Sequence, residues 1–540
     1  MTAPARTHPA ADAAPDIVWW KGAVIYQIYP RSFADSNGDG IGDLKGITAH
    51  LDHVAALGVD GVWISPFFKS PMKDFGYDVA DYCDVDPIFG TLADFDELLA
   101  RAHTLGLKVI IDQVYSHTSA ECEWFKESRS SRDNPKADWY VWADAKADGT
   151  PPTNWLSVFA GPAWTWDAGR RQYYLHNFLS SQPDLNLHNP EVQEAVLATA
   201  RFWLDRGVDG FRLDATNFYM HDPELRDNPP YSGAATRETY TFNFQEQCYN
   251  QSHPDILPFI ERYRALLDSY GGDRFTVAEI GGRRAIEEMS DYTKGNNRLS
   301  TAYSFIFLES PELSAGVIRK ALSDWDAATD AWPSWTFSNH DRPRTLGRWG
   351  KEADPGTFAR TMNMLLLSLR GTIFLYQGEE LGLPQADVPF NRLQDPEALA
   401  NWPKTLGRDG TRTPMPWKAD TPFGGWSCDP WLPLDPRHIA LAADVQTKDP
   451  TSTLAFTKAL LSLRRSHPAL RVGGHHFLDT PEPILAFTRE ADGETLLCVF
   501  NLSNGDVRFE GETGNVLQTS GNCDPATGAM GPFSGWISKL

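Results

Sequence analysis

Cysteine, positive charge and uninterrupted apolar length are all scarce in this 540-residue sequence. Its six cysteines, Cys83, Cys122, Cys248, Cys428, Cys498 and Cys523, form no C-x-x-C pair and repeat no spacing. That scatter argues against a disulfide framework and for free thiols in a reducing, cytoplasmic setting. Lys and Arg number 49 against 71 Asp and Glu, a formal net charge of -22. Such a chain repels phosphate backbones, which excludes nucleic acid as a partner and favours a neutral or cationic substrate. No segment approaches the roughly 18 uninterrupted apolar residues of a membrane span. The opening "MTAPARTHPAADAAPDIVWW" also lacks the apolar core of a signal peptide. No membrane partner is expected, and residues 1–17 are read as a flexible tail.

Aromatic residues, by contrast, are abundant: 19 Trp, 17 Tyr and 29 Phe. Most must fill cores and interfaces, although rings exposed in a cleft also stack on sugars. Along the chain, short β-branched runs alternate with amphipathic helical ones. "AVIYQIYP" precedes "LKGITAHLDHVAALG", "DGVWISP" precedes "TLADFDELLARAHTLG", and "KVIIDQVYSH" follows. The rhythm breaks for about seventy residues rich in Trp, Pro, Asn and Asp, the mark of a functional insertion. It resumes at "PEVQEAVLATARFWLDRG" and runs to "TLAFTKALLSLRRSHP". Eight strands and eight helices predict an α/β fold, a (β/α)8 TIM barrel. From about residue 470 the pattern becomes alternating, as in "ILAFTRE" and "LLCVFNLS", which predicts a C-terminal antiparallel β domain. The expected divisions are the barrel over 18–117 and 190–469, an inserted small domain after strand 3 over 118–189, and the β domain over 470–540.

Active groups of such barrels sit where strands end. Strand three ends in Asp112 and His117, strand four in Arg212 and Asp214, strand five in Glu279, strand seven in His340 and Asp341. Any one of these in isolation reads as a helix cap, a turn residue or a packed histidine. Their gathering on one rim is harder to explain that way. Two carboxylates facing a glycosidic bond supply a nucleophile and a proton donor. Arg212, on the same strand face as Asp214, is expected to hold that carboxylate ionised. Glu279 in "TVAEIGG", approached by apolar residues, is expected to be raised toward the range of a general acid.

"DQVYSH", "GFRLDATN", "AEI" and "SNHD", in this order, resemble the signature regions of the α-amylase family, glycoside hydrolase family 13. "QPDLN" resembles a further region on the oligo-1,6-glucosidase side, and "YQGEELGL" and "RTPMPW" resemble α-glucosidase segments. The resemblance implies Asp214 as nucleophile, Glu279 as general acid/base and Asp341 as stabiliser of the distorted transition state. It implies sugar-holding or orienting roles for Asp112, His117, Arg212 and His340, with Phe178 in the same substrate-binding set. Ser116 stands where the family usually has Asn. Tyr77, Asp78 and Arg412 resemble residues that stack on the terminal glucose and bind its 4-hydroxyl; a plain domain-bridging salt bridge is the other reading. Ala215 takes a place that tends to carry Val in α-1,6-specific relatives and Ala or Thr in α-1,4-specific ones, unless it merely packs a small gap.

The loop "DSNGDGIGD" offers Asp35, Asn37, Asp39, the Ile41 carbonyl and Asp43 at alternate positions, as a calcium loop begins, without the closing glutamate of an EF-hand. An Asp/Gly turn is the alternative, and the family resemblance favours a structural Ca²⁺ or Mg²⁺. No organic cofactor is expected. His475 and His476 are read as surface residues. The function expected is that of an exo-acting retaining α-glucosidase on short oligosaccharides, preferring α-1,4 bonds and accepting sucrose, with alcohol or sugar acceptors in transglucosylation. The alternatives are a dedicated glucosyltransferase or sucrose-splitting enzyme, and a non-catalytic relative. A monomer or homodimer is expected.

Overall fold

In the computed structural model, described over residues 18–540 apart from 234–240, 351, 404 and 406, eight parallel strands form one sheet. They are β1 (Val24–Ile28), β2 (Gly61–Ile64), β3 (Lys108–Val114), β4 (Gly210–Asp214), β5 (Phe275–Ile280), β6 (Thr301–Ser304), β7 (Ser334–Trp335) and β8 (Thr372–Tyr376). The hydrogen-bonded order is β6-β5-β4-β3-β2-β1-β8-β7. Between β6 and β7 the barrel closes through side chains: Ser334 Oγ donates to the Ala302 carbonyl at 2.8 Å, and Thr301 Oγ1 to the Trp332 carbonyl at 2.8 Å. Strand β7 is shorter than "WPSWTFSNHD" suggests. The chain leaves the ladder after Trp335 and turns at the rim, where Asn339 Oδ1 accepts the Asp341 amide.

The barrel helices are α1 (Leu44–Leu57), α2 (Leu92–Thr104), α3 (Pro190–Arg206), α4 (Ile256–Asp268), α5 (Ala285–Thr293), α6 (Ala315–Ala328), α7 (Pro355–Ser368) and α8 (Thr453–Ser466). Local chemistry sets their limits. Asp43 caps α1 by accepting from the Gly46 amide at 2.6 Å, and Gly58, at φ 94°, ends it in the left-handed conformation that glycine tolerates. Asn189 caps α3, and Pro190 sits in its first turn, where a missing N–H costs nothing.

The inserted segment carries a three-stranded antiparallel sheet, Trp142–Ala143, Gln172–Leu175 and Trp164–Asp167, with its own core around Trp155 and Trp164. Beyond α8, five antiparallel strands pack on the barrel. Fully buried Arg489 donates across that junction to the Ser368 carbonyl. His475 belongs to the same junction, contrary to its reading as a surface residue: its side chain is 6% exposed and Nε2 lies 2.9 Å from Asp326 on α6. Only His476 is exposed. The tail over 1–17 lies outside the described residues. No helix among the described residues is long and apolar enough to cross a membrane, and all six cysteines are free.

Candidate active site

Parallel register builds the floor of the site. Asp112 on β3 lies beside Arg212 on β4, and Glu279 on β5 lies beside Tyr303 on β6. Arg212, fully buried, therefore meets acids from three strands. Its Nη1 donates to Asp112 Oδ1 at 2.9 Å and to Asp214 Oδ1, while Nη2 lies 2.5 Å from Glu279 Oε1. Tyr303 Oη accepts from Arg212 Nε at 3.2 Å and donates to Glu279 Oε1 at 3.1 Å. The opposite oxygen of Asp112 accepts from Trp63 Nε1 at 3.1 Å and Tyr77 Oη at 3.0 Å.

One guanidinium thus serves three carboxyls, and this changes the expected electrostatics. Burial raises Glu279 to about 7, as its apolar approach predicts. Asp214, expected to be held low by Arg212, also rises to about 7, because burial outweighs a cation shared with Asp112 and Glu279. Asp112 rises to about 6 by the same cause. Near neutral pH this floor retains a proton.

Asp341 sits in the opposite balance. Burial raises it, but His340 beside it, followed by Arg412, Arg408 and Arg342, holds its carboxyl well below the usual range. Arg412 Nη2 donates to Asp341 Oδ1 at 2.8 Å, and Arg408 Nη1 lies 3.5 Å from the same oxygen. Burial also drives His340 well below its ordinary value, so its influence on Asp341 is that of a neutral ring with its N–H toward the carboxylate, and the arginines carry the positive charge. Gln27 Nε2 is 2.8 Å from His340 Nδ1, which assigns the hydrogen to Nε2, 3.2 Å from Asp341 Oδ2. His340 in turn stacks on Tyr77 at 5.2 Å with the rings 6° from parallel.

The carboxyls open into a cavity of about 540 Å³ that Tyr77, His117, Phe178, Asp214, Ala215, Glu279 and Asp341 line. His117, lowered to about 4 by burial, is neutral at pH 7. Its Nε2 faces the Tyr77 carbonyl at 2.9 Å, so Nδ1 accepts from Ser116 Oγ at 3.0 Å. The Tyr77 carbonyl thereby sets the histidine tautomer, and the Ser116 hydroxyl serves it as donor. Ala215 occupies left-handed backbone, φ 40°, and its amide donates to Glu279 Oε2 at 3.3 Å.

The pair expected to close the pocket is not the one that does. Asp78 is fully buried and accepts from Ser70 Oγ and from the Lys73 and Asp74 amides, which turns it away from the cavity to brace a loop. Arg412 is spent on Asp341 and the His340 carbonyl. The wall is made instead by Asp74 and Arg408, whose carboxylate and guanidinium meet at 2.9 Å, with Asp395 behind Arg408 at 2.9 Å. Both lie close in sequence to the residues expected there, Asp74 four before Asp78 and Arg408 four before Arg412. Sequence reading also passed over Tyr303, and over Phe159 and Phe218, which flank Phe178 at 6.3 and 5.2 Å. Tyr303 lacked any motif, and its register with Glu279 was its signal.

In the Asp35–Asp43 loop the oxygens of Asp35, Asn37 and Asp39 accept loop amides, and Asp43 accepts from Ser36 besides capping α1. Its three carboxylates do not gather round one point. The donor set is nonetheless all oxygen, the chemistry that hard divalent cations require.

Residues 27–473 match the family model described as alpha amylase, catalytic domain. The chain belongs to the alpha-amylase family of glycoside hydrolases. It is 53% identical over 499 residues, 91% of this chain and 90% of the relative, to a probable alpha-glucosidase of Rhizobium meliloti (strain 1021). An oligo-1,6-glucosidase of Heyndrickxia coagulans is 37% identical over 541 residues, 93% of this chain and 96% of the relative. Among solved structures, that of an alpha-glucosyl transfer enzyme, XgtA, superimposes with a TM-score of 0.92 at 51% identity, covering 97% of this chain and all of the other.

Proposed function

We propose that the protein is a retaining, exo-acting α-glucosidase that takes glucose from the non-reducing end of short α-glucosides through a covalent glucosyl-enzyme. One observation carries this: Asp214 and Glu279 grip the two ends of one guanidinium, at the floor of a cavity walled by Asp74 and Arg408. Carboxyls so joined match the spacing of a retaining pair, about 5 Å, better than the roughly 6.5–9.5 Å of an inverting one. With Asp112 balancing Arg212, one proton serves the remaining two acids. Asp214 attacks the anomeric carbon as a carboxylate, and Glu279 gives its proton to the departing oxygen. In the second half Glu279 removes a proton from the incoming water, whose oxygen bonds to the anomeric carbon as the Asp214 ester breaks.

Asp341, held ionised by arginines, supplies fixed negative charge for the cationic transition state. Asp74 and Arg408 bind the terminal hydroxyls and close the pocket, which makes the attack exo. Following the first-formed anomer from maltose by NMR tests the reading: α-glucose is expected, and β-glucose overturns it.

A second reading, transfer to a sugar or alcohol, is supported by the rings at the cavity mouth, where Phe178, Phe218 and Phe242 pack together. An apolar lip favours an organic acceptor over water. The room beside Ala215 supports α-1,4 over α-1,6 bonds and admits sucrose. Asp35, Asn37, Asp39, Asp43 and the Ile41 carbonyl would hold a structural Ca²⁺ or Mg²⁺. The unpaired cysteines support a cytoplasmic location, and a monomer or homodimer remains our expectation.

A further inference from the structure

Away from the cavity, a second group of side chains converges where the inserted segment returns to the barrel. His188 lies two residues before α3; His253 and Asp255 stand just before α4, at the end of the long connection that follows β4. Asp255 Oδ2 is 3.7 Å from His188 Nδ1 and 3.6 Å from His253 Nδ1. One ligand atom from each of the three lies within 4.8 Å of the other two.

These separations are too long for hydrogen bonds and short for unrelated neighbours. Two donors each about 2.1 Å from a tetrahedral zinc stand about 3.4 Å apart, close to the spacings of Asp255 from either imidazole.

The protonation pattern points the same way. His188 Nε2 lies 2.7 Å from the His221 carbonyl, so it carries the hydrogen and leaves the Nδ1 lone pair facing the cluster. The Asp255 amide donates to His253 Nδ1 at 3.3 Å, so that nitrogen is unprotonated as well. The His188 lone pair and the Asp255 carboxylate therefore face one another with no proton between them, an arrangement that a cation relieves, and His253 Nδ1 would exchange its long bond to the Asp255 amide for the ion. A ligating histidine whose second nitrogen is fixed by a backbone carbonyl is the usual outer-shell support of a metal site. The two rings stand edge to face, 5.0 Å apart and 83° from parallel. Side-chain exposures of 20%, 21% and 62% for His188, His253 and Asp255 give an ion access from solvent.

We propose that His188, His253 and Asp255 form a binding site for a divalent transition metal, zinc fitting best, with water completing the coordination. Two imidazoles and one carboxylate select zinc, cobalt, nickel or copper over calcium and magnesium, which separates this site from the all-oxygen Asp35–Asp43 loop. An ion here ties the start of α3 to the connection that carries Tyr231, Phe242, Gln247 and Gln251 to the cavity. Gln251 is two residues from His253, so occupancy steadies that side of the pocket.

The test uses the untagged full chain, stripped of metal and kept in millimolar CaCl₂, titrated with ZnCl₂ by calorimetry and with CoCl₂ by visible absorption. One Zn²⁺ per chain with micromolar affinity, cobalt bands of a four- or five-coordinate site and a Zn²⁺-dependent rise in Tm are expected. His253→Ala, at a half-buried position, and Asp255→Asn, at an exposed one, should each weaken Zn²⁺ at least about tenfold and cancel the rise in Tm. Absence of stoichiometric Zn²⁺ binding, or equal affinity in both variants, overturns the site. So does binding lost in Cys248→Ser but kept in His253→Ala, since Cys248 is an exposed thiol nearby in sequence.

Discussion

The rim of β4 and β5 and the rim beyond β7 use the same residue types in opposite proportion. Around Arg212 three carboxyls share one cation, and burial raises all three. Around Asp341 one carboxyl faces three arginines, and the group stays ionised although it too is buried. The difference shows that charge balance, more than burial, divides proton carriers from a permanent anion. A carboxyl that must exchange a proton belongs where acids outnumber cations. One that must only oppose a developing positive charge belongs where cations outnumber acids.

The harshest way to break the acid-rich side is Asp214→Asn, which should lower kcat by about 10⁴-fold or more, as loss of a nucleophile does. Its stability should move the other way. Asp214 rises from 3.8 to about 7 on folding, so the folded state keeps a proton that the unfolded chain releases. Its contribution to stability is complete below pH 3.8, declines as pH rises toward 7, and is wholly lost above. Calorimetry at pH 8 should show the Asn variant with the higher Tm, and a lower one contradicts the crowded-acid account.

Glu279→Gln should cost about 10²–10⁴-fold on maltose and far less on α-glucosyl fluoride, whose leaving group needs little protonation. Wild-type kcat/KM on maltose should fall as pH rises through about 7, where Glu279 loses its proton. That limb should vanish for Glu279→Gln on the fluoride. Equal losses on both substrates remove Glu279 from the role of acid.

Asp74→Ala sharpens the arginine-rich side. Loss of a charge-assisted bond to the terminal sugar is worth about 1.5–3 kcal/mol, so kcat/KM for maltose should drop roughly 10- to 100-fold. Asp78→Asn should alter Tm without that loss. The reverse pattern would restore Asp78 to the pocket wall.

A smaller effect is expected of Ala215→Val: a several-fold shift of the maltose-to-isomaltose ratio toward isomaltose. A β-branched residue at φ 40° also costs about 1–2 kcal/mol, so Tm should fall alongside. An unchanged ratio assigns Ala215 to packing. The least effect is that of the Asp35–Asp43 loop. Chelation should lower Tm by a few degrees with kcat unchanged at low temperature, Ca²⁺ should restore it, and Asp35→Ala should lose that response. No response in the wild type makes the loop a simple turn.

Much of this was legible before any fold was seen. Periodicity marked the eight helices because 3.6-residue spacing is a local property, and Gly58, Gly207 and the caps at Asp43 and Asn189 end or begin elements through neighbours a few residues away. The rim acids were legible because strand ends point at the barrel mouth. Strand β7 was overread, because "WTFSN" suits a strand locally while the rim turn, held by Asn339 and Asp341, is a contact made after the chain leaves the sheet.

The sequence by itself determined the element order, the three acids at the strand ends and the family. Tertiary structure alone decided which neighbouring residues line the cavity: Asp74 instead of Asp78, Arg408 instead of Arg412. It likewise decided that Asp214 keeps a raised pKa beside an arginine, and that His475 is buried. The physical reason is common to all of these. Periodicity and capping act between residues near in sequence, whereas the state of a buried charge depends on how many partners reach it, and Arg212 draws Asp112 and Glu279 from strands that only folding brings beside it.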